Sequence, residues 1–210
     1  TIRNNTGTTI LSGNNTFSGG LDLVVGGLRM GSANALGNSA GTFTFANGAN
    51  AVVFSSDGTT ARSIVNPTAV TGTSGITIGD ATNNGKLTFS NTFDLGTSVR
   101  PLAIASEVEI SGAVGGTGGG INKSGAGVLT LSGNNNYTGL TTLSAGQLNL
   151  NANTAINGAG GFTVSAAATL DNTSASAVTL TNAGTVTLSN NLTFNGTRGL
   201  TFSGNVNQTA

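Results

Sequence analysis

The chain has 210 residues with seven basic and seven acidic side chains, so its formal net charge is zero and only 7% of its residues are charged. A soluble domain usually has about 25% charged residues. With no net positive charge and no cluster of Arg or Lys, binding to nucleic acid or to an anionic membrane surface is not expected. No run of residues approaches the roughly 18 apolar residues of a membrane helix, so membrane insertion is not expected either.

Histidine and cysteine are absent from the chain. Their absence removes most metal, nucleophile and triad chemistry. We therefore predict that the chain is not an enzyme and has no catalytic residues, no cofactor and no metal centre.

Short segments in which apolar and polar residues alternate recur between Gly, Asn and Ser along the whole chain. Alternation with a period of two places one row of side chains inside a sheet and the other outside. The outward residue is often Thr, which is a strong strand former. No window combines helical apolar spacing with freedom from glycine, so the sequence predicts an all-β chain. The clearest segments are 42–45, 76–78, 86–89, 108–110, 147–150, 162–164, 178–180, 186–188, 192–194 and 200–202.

One segment occurs twice, because residues 7–30 recur 120 residues later as 127–150 with 10 of 24 positions identical. A repeat of this kind buries its apolar face only by stacking on its neighbours, which favours a solenoid over a sandwich. Coils of roughly 20–22 residues spaced about 4.8 Å apart would give about ten coils and a rod near 48 Å long. We expect three leucine pairs to face inward at equivalent places on different coils: Leu11 with Leu131, Leu23 with Leu143, and Leu28 with Leu148.

The second copy has a recognisable motif. Lys123 begins a Lys-x-Gly-x-Gly segment, Leu-Thr-Leu-Ser-Gly follows at 129–133, and Asn, Tyr137, Thr-Gly, Thr-Thr and then Gly146 and Leu148 complete it. This segment resembles the passenger-associated, or autotransporter-associated, β-strand repeat. The first copy departs from that pattern, since Thr8-Thr9-Ile10 replaces the usual opening and Leu21-Asp22 replaces Thr-Thr.

The resemblance implies a right-handed parallel β-helix that is exported to the outside of a bacterial cell. It implies a scaffold, so no catalytic residue is carried over. We therefore predict a single β-solenoid segment over residues 1–210, with repeat copies at about 7–30 and 121–150 and without evident caps.

Four features could indicate a site, and each has a simpler interpretation. Glu107 and Glu109 share one face of a strand, as a pair of glycosidase carboxylates would, but a solvated outer face is the simpler interpretation. Calcium is an alternative to turn formation at Asp57-Gly58 and at Gly79-Asp80. The glycine run 115–120 is interpreted as a loop between coils. Phe17 and Tyr137 are interpreted as stacking residues, with an exposed sugar-binding platform as the alternative.

The two ends of the chain resemble successive parts of one repeat, since residues 200–206 resemble 108–114, the segment that precedes the second motif copy. Neither end has a helix, a charge cluster or a proline that would cap a solenoid. The chain is therefore either a piece of a longer tandem array or a subunit that stacks end to end. The residues predicted to mediate self-association are Ile2, Thr9, Ile10, Leu11, Leu200, Thr201, Phe202 and Val206.

The sequence favours a non-catalytic extracellular structural β-solenoid, acting as a surface stalk or as a fibre subunit whose partner is another copy of itself. The alternatives are a carbohydrate-binding or carbohydrate-cleaving β-helix, with a glycan surface as partner, or a fragment of an adhesin passenger.

Overall fold

The computed structural model describes residues 2–46, 48, 51–156, 160–181, 184–196 and 198–209, and in the first strand it describes side chains from Gly7 onward. These residues form 23 β-strands and no helix. In chain order the strands are β1 Ile2–Leu11, β2 Leu21–Met30, β3 Phe43–Phe45, β4 Val52–Ser56, β5 Arg62–Ile64, β6 Thr68–Val70, β7 Ile76–Ile78, β8 Leu87–Phe89, β9 Phe93–Asp94, β10 Val99–Ile104, β11 Val108–Ile110, β12 Val114–Gly115, β13 Gly120–Ser124, β14 Val128–Leu131, β15 Thr141–Leu143, β16 Gln147–Leu150, β17 Phe162–Val164, β18 Ala168–Asp171, β19 Val178–Leu180, β20 Val186–Leu188, β21 Leu192–Phe194, β22 Leu200–Phe202 and β23 Val206–Gln208.

All strand pairs in the described residues are parallel, and each strand pairs with strands of the neighbouring turns. The strands form three faces. Face 1 contains β1, the second half of β2, and then β4, β7, β10, β13, β15, β17, β20 and β23. Face 2 contains β5, β8, β11, β14, β16, β18 and β21. Face 3 contains the first half of β2 with β3, β6, β9 and β12, and farther along the chain β19 with β22.

The predicted fold class is confirmed, because the chain is an all-β parallel solenoid of about nine turns where about ten coils were predicted. Alternation explains the core: in three-residue strands such as β3 and β17, the first and third side chains are buried and the middle one is half-buried. Inward side chains of successive turns stack along the axis. In the first turns they include three phenylalanines, and the ring of Phe43 lies 4.8 Å from those of Phe45 and Phe54.

The two repeat copies occupy different faces of the solenoid. In the first copy, Leu21–Leu23 pairs with β3 on face 3 and Gly26–Met30 pairs with β4 on face 1. In the second copy, the corresponding β15 lies on face 1 and β16 lies on face 2. The second copy is therefore rotated by one face, a third of a turn, relative to the first.

Of the prediction for the three leucine pairs, the inward orientation agrees with the structure and the equivalence of position does not. Leu23, Leu28, Leu131, Leu143 and Leu148 are fully buried, and Leu11 packs partly buried against the core. Their equivalence on different coils is wrong because of the rotation. The motif forms a strand, a corner and a second strand. It can therefore lie on faces 3 and 1, as in the first copy, or on faces 1 and 2, as in the second. The corner needs a left-handed residue in both copies, supplied by Gly26 (φ 80°) and Gly146 (φ 69°).

Candidate functional site

Equivalent Asn residues of the two motif copies join neighbouring turns. The Nδ2 of Asn15 donates to the carbonyl of Ala35 at 2.8 Å, and the Nδ2 of Asn135 donates to the carbonyl of Ala155 at 2.9 Å. Both bonds span 20 residues. Asn135 is 1% exposed, and its Oδ1 also accepts from the backbone N–H of Val114 on the previous turn. A buried amide is tolerated here because its donor and acceptor groups are used.

The preceding Asn of each copy forms a second, exposed contact between turns. Asn14 Oδ1 accepts from Asn34 Nδ2 at 2.5 Å, and Asn134 Oδ1 accepts from Thr154 Oγ1 at 2.6 Å. The equivalent contacts at both copies show that the motif amides hold one turn to the next.

Lys123 of the motif is fully buried and faces the core. Its neighbours in register are Leu102 and Leu143, so its aliphatic stem continues an aliphatic column of face 1. Its Nζ donates to the carbonyls of Gly125 (2.8 Å), Gly127 (2.7 Å) and Ala145 (2.9 Å), with a longer contact to Ser124 (3.3 Å). Burial lowers the pKa of Lys123 to about 8. The side chain ties a corner of its own turn to the next turn.

The aromatic position of the motif is part of the core rather than a binding platform at Tyr137. Tyr137 is fully buried, and its hydroxyl lies 2.7 Å from Thr141 Oγ1. Burial raises the pKa of Tyr137. Asn15 and Phe17 occupy the motif positions of Asn135 and Tyr137, but Phe17 is 39% exposed. Tyr137 is therefore a core residue and not an exposed sugar-binding platform, and its role in stacking stays a prediction.

The two glutamates predicted to share a face are joined by one lysine. Lys86 Nζ lies 3.1 Å from Glu107 Oε1 and 2.9 Å from Glu109 Oε2. Ser132 Oγ donates to Glu109 Oε1 at 2.6 Å. The Ser132 hydrogen bond, aided by Lys86, lowers the pKa of Glu109, and the Glu109 hydrogen bond raises the pKa of Lys86. This arrangement links three turns by charged hydrogen bonds.

The two aspartates considered for calcium have protein partners. Asp80 Oδ1 accepts from the backbone N–H groups of Thr82 and Asn83, each at 2.8 Å, which is an Asx turn. These bonds lower the pKa of Asp80. Asp57 Oδ1 pairs with Arg62 at 3.1 Å. Within the described residues, no three His, Cys, Asp or Glu side chains cluster closely enough to hold a metal ion.

The glycine run 115–120 connects β12 to β13. Its backbone donors bind protein acceptors: Gly118 N–H donates to Thr138 Oγ1 at 2.7 Å, and Gly119 N–H donates to the Gly116 carbonyl at 3.2 Å. The predicted loop between coils is present, and these two donors are not directed at a ligand.

The predicted self-association residues lie in the first and last turns. Thr9 and Leu11 pair in register with the inward residues Leu28 and Met30. Ile10 points outward and is 52% exposed, so it does not belong to the inward column of the first turn, and its burial between stacked coils stays a prediction. Alternation places every second side chain outside, which the sequence interpretation overlooked at this position. The side chain of Ile2 lies outside those described.

In the last turn, Leu200 and Phe202 pack partly buried against the core, and the Phe202 ring stacks on Phe162 at 6.0 Å. Val206 continues the inward column of the buried Val186 but is 52% exposed. Thr201 lies between Leu200 and Phe202 and is exposed. The last described turn therefore leaves apolar inward side chains uncovered along the axis.

Backbone hydrogen bonds show which groups face the uncovered edges. The Gly31 N–H donates to the Leu11 carbonyl, and the Val178 N–H donates to the Gly199 carbonyl. Alternate residues of a strand direct their N–H and C=O groups to opposite sides. The backbone N–H and C=O groups of Thr9 therefore point towards β2, and those of Thr201 point towards β19. The backbone groups of Ile10 point away from β2.

These features define a class of protein: a parallel β-solenoid whose repeat motif provides inter-turn ties. The family model described as passenger-associated-transport-repeat matches residues 2–30 and 121–150. This match confirms the resemblance to the autotransporter passenger repeat and implies a secreted or cell-surface protein. Neither the curated proteins nor the solved structures gave a match to the chain. Within the described residues, no helix of the length and apolarity needed to cross a bilayer occurs.

The sequence interpretation missed one repeated feature beyond residue 30. Ala35 and Leu36 in the first copy correspond to Ala155 and Ile156 in the second, and all four are buried. Ala35 and Ala155 supply the carbonyls that accept from the motif Asn residues. Extending the comparison of the two copies past 30 and 150 would have found them, because the 120-residue offset persists there.

Proposed function

We propose that this chain is a non-catalytic structural rod of a secreted or cell-surface protein, and that its first and last turns stack on further solenoid turns. These turns come either from a second copy or from flanking repeats of the same kind. The observation that carries the proposal is the exposure of inward-column side chains at the last turn, where Phe194 is 47% and Val206 52% exposed.

Stacking would satisfy two needs at once. Parallel strand edges at β21, β22 and β23 have no further partner among the described residues, and edges of this kind pair readily with another chain. Covering Phe194 and Val206 would add hydrophobic stabilisation of about 25 cal/mol per Å² of apolar surface buried. Because the end turns carry few charges, salt is expected to matter little.

The placement of the carboxylates supports a role without catalysis. Glu107 and Glu109 are both paired with Lys86, Asp57 with Arg62, and Asp80 sits in an Asx turn. A glycosidase requires two carboxylates that face one substrate. These four acidic side chains therefore make contacts within and between turns.

Sedimentation velocity over a range of concentrations tests the proposal. We expect the wild-type chain to form larger species as concentration rises, at both low and high salt. The Ile10→Pro variant should shift the equilibrium towards monomer because it removes an N–H donor from the uncovered edge. A wild-type chain that remains monomeric, with backbone amides of β21 to β23 strongly protected from hydrogen exchange, contradicts the proposal.

A further inference from the structure

A depression of about 240 Å³ lies on the outer surface of face 1, over β1, β2 and β4. Gly26 and Gly27 form part of its floor, and Arg29, Val53 and Asp80 line it. A Cβ at Gly27 would lie 2.5 Å from Thr8 Oγ1, so any larger residue there would displace the Thr8 side chain. The missing side chain in an otherwise regular column creates the concavity.

Arg29 uses its donors differently from Arg62 and Arg100. Arg62 donates to the Gly31 carbonyl at 2.9 Å, and Arg100 donates to the Leu95 carbonyl at 2.6 Å. Within the described part of the chain, the polar partner of Arg29 is Asp80, with Nη2 at 3.6 Å from Oδ2. That separation is too long for a hydrogen bond, so the guanidinium donors and Asp80 Oδ2 retain hydrogen-bonding capacity.

The Arg29–Asp80 pair contributes little to stability. Both side chains are about a quarter to a third exposed, at 30% and 25%, and exposed ion pairs contribute little to the free energy of unfolding. The pair is nevertheless held in place. Asp80 Oδ1 is fixed by the N–H groups of Thr82 and Asn83, and Arg29 crosses over Ser55, its fully buried neighbour in register.

We propose that Arg29 and Asp80 form a binding subsite for one residue of a neutral glycan. A pair of vicinal hydroxyls suits this arrangement, because one hydroxyl donates to Asp80 Oδ2 while its neighbour accepts from the Arg29 guanidinium. Val53, 38% exposed, offers an apolar surface to the C–H face of the sugar. An anionic ligand fits less well, since the ionised Asp80 carboxylate borders the same space.

The depression is smaller than the roughly 300–1,000 Å³ typical of enclosed sites for drug-sized ligands. It lies on the side of the rod and is open, so it is suited to a single residue of an extended polysaccharide crossing the rod. We therefore expect weak binding, with a Kd on the order of 1 mM for a short oligosaccharide.

The test is an amide chemical-shift titration of the full chain with neutral oligosaccharides of glucose, galactose, mannose and N-acetylglucosamine, and separately with acetate and inorganic phosphate. We expect saturable shifts at Gly27, Arg29 and Ser55 with at least one oligosaccharide. Arg29→Gln and Asp80→Asn should each weaken binding at least about tenfold. Asn at position 80 keeps the Oδ1 acceptor of the turn, and Arg198→Gln is the matched control that should leave binding unchanged.

Three results would overturn the proposal. The first is the absence of shifts at these amides with every oligosaccharide in the panel. The second is undiminished binding by Arg29→Gln. The third is saturation by acetate or phosphate with tighter binding than any sugar, which would make the depression an anion site.

Discussion

Lys123 lies in register with Leu143 of the following turn, in a column of face 1 that is aliphatic on both sides of it. Its ammonium group leaves the column at the corner and binds carbonyls of two successive turns. The motif lysine therefore replaces apolar packing with hydrogen bonds at the point where the chain bends. These hydrogen bonds account for a charged residue in the interior, and no catalytic role is needed to explain it.

Stability should rise with pH across the titration of Lys123. The pKa falls from 10.5 in the unfolded chain to about 8 in the folded one, so between these values the unfolded state binds more protons. The penalty of burying the ammonium group is complete below pH 8 and is relieved as pH rises towards 10.5, by at most roughly 3 kcal/mol. Urea unfolding midpoints measured from pH 7.5 to 9.5 check the slope.

The control for that slope is Lys123→Met, which keeps an aliphatic stem and removes the titrating group. Its midpoint should be nearly independent of pH over the same range. Tyr137 does not disturb the comparison, because its raised pKa lowers stability only above about pH 10. An equal slope in the variant and the wild type would show that another group is responsible.

Asn135 should matter more than its counterpart Asn15. Replacing the buried Asn135 by Ala leaves the Ala155 carbonyl and the Val114 N–H without their partner, at a cost of about 2–4 kcal/mol. Asn15→Ala leaves the Ala35 carbonyl without its donor but partly accessible to water, so the free energy of unfolding should fall by about 1 kcal/mol. Thermal unfolding of both variants provides the measurement. The neighbouring exposed Asn136→Ala should change stability by less than about 0.5 kcal/mol, and a larger effect there would contradict this ranking.

The sequence predicted the strands and the solenoid because alternation and the duplicated segment depend only on local residue order. It did not predict the rotation between the copies. The intervals between strands vary, and which face a strand occupies depends on the summed lengths of all the turns before it. Phe17 and Tyr137 were treated alike because their local sequences match. Tyr137 belongs to a turn that is covered on both sides, whereas Phe17 belongs to the first turn.

Proline substitutions should distinguish the two sides of β1. Thr9→Pro removes an N–H that faces β2, so it should lower the thermal unfolding midpoint of the chain itself. Ile10→Pro removes an N–H that faces the uncovered edge, and its outward side chain makes few core contacts. Its unfolding midpoint at low concentration should stay close to that of the wild type. Equal loss of stability in both variants would contradict the assigned orientation of the strand.

We predict that Glu107 and Glu109 do not catalyse glycan hydrolysis. Glu107→Gln together with Glu109→Gln removes the ion pairs with Lys86, which are partly exposed and contribute about 0–1 kcal/mol each. We expect a small decrease in stability and no change in a reducing-sugar assay with polysaccharides, which should detect no turnover by the wild type. Turnover that disappears in the double variant would mean that the chain is an enzyme.

The site residues were harder to predict than the fold. Arg29 and Asp80 are 51 positions apart in the sequence, and they meet only because two further turns bring the chain back over the same face. The inward side chains of the last turn were partly predictable, since Phe202 and Val206 follow the alternation. The outward orientation of Ile10 was not predicted, because Ile10 and Leu11 are adjacent apolar residues and the sequence does not reveal which of the two faces inward.

Electron microscopy of the purified chain at several concentrations tests the central claim most directly. A stacking structural rod predicts unbranched particles of uniform width, whose lengths grow with concentration in increments of one chain. Nine turns at about 4.8 Å per turn set that increment at roughly 43 Å. Particles of one fixed size at every concentration, with ordered segments covering both end turns, would contradict the account.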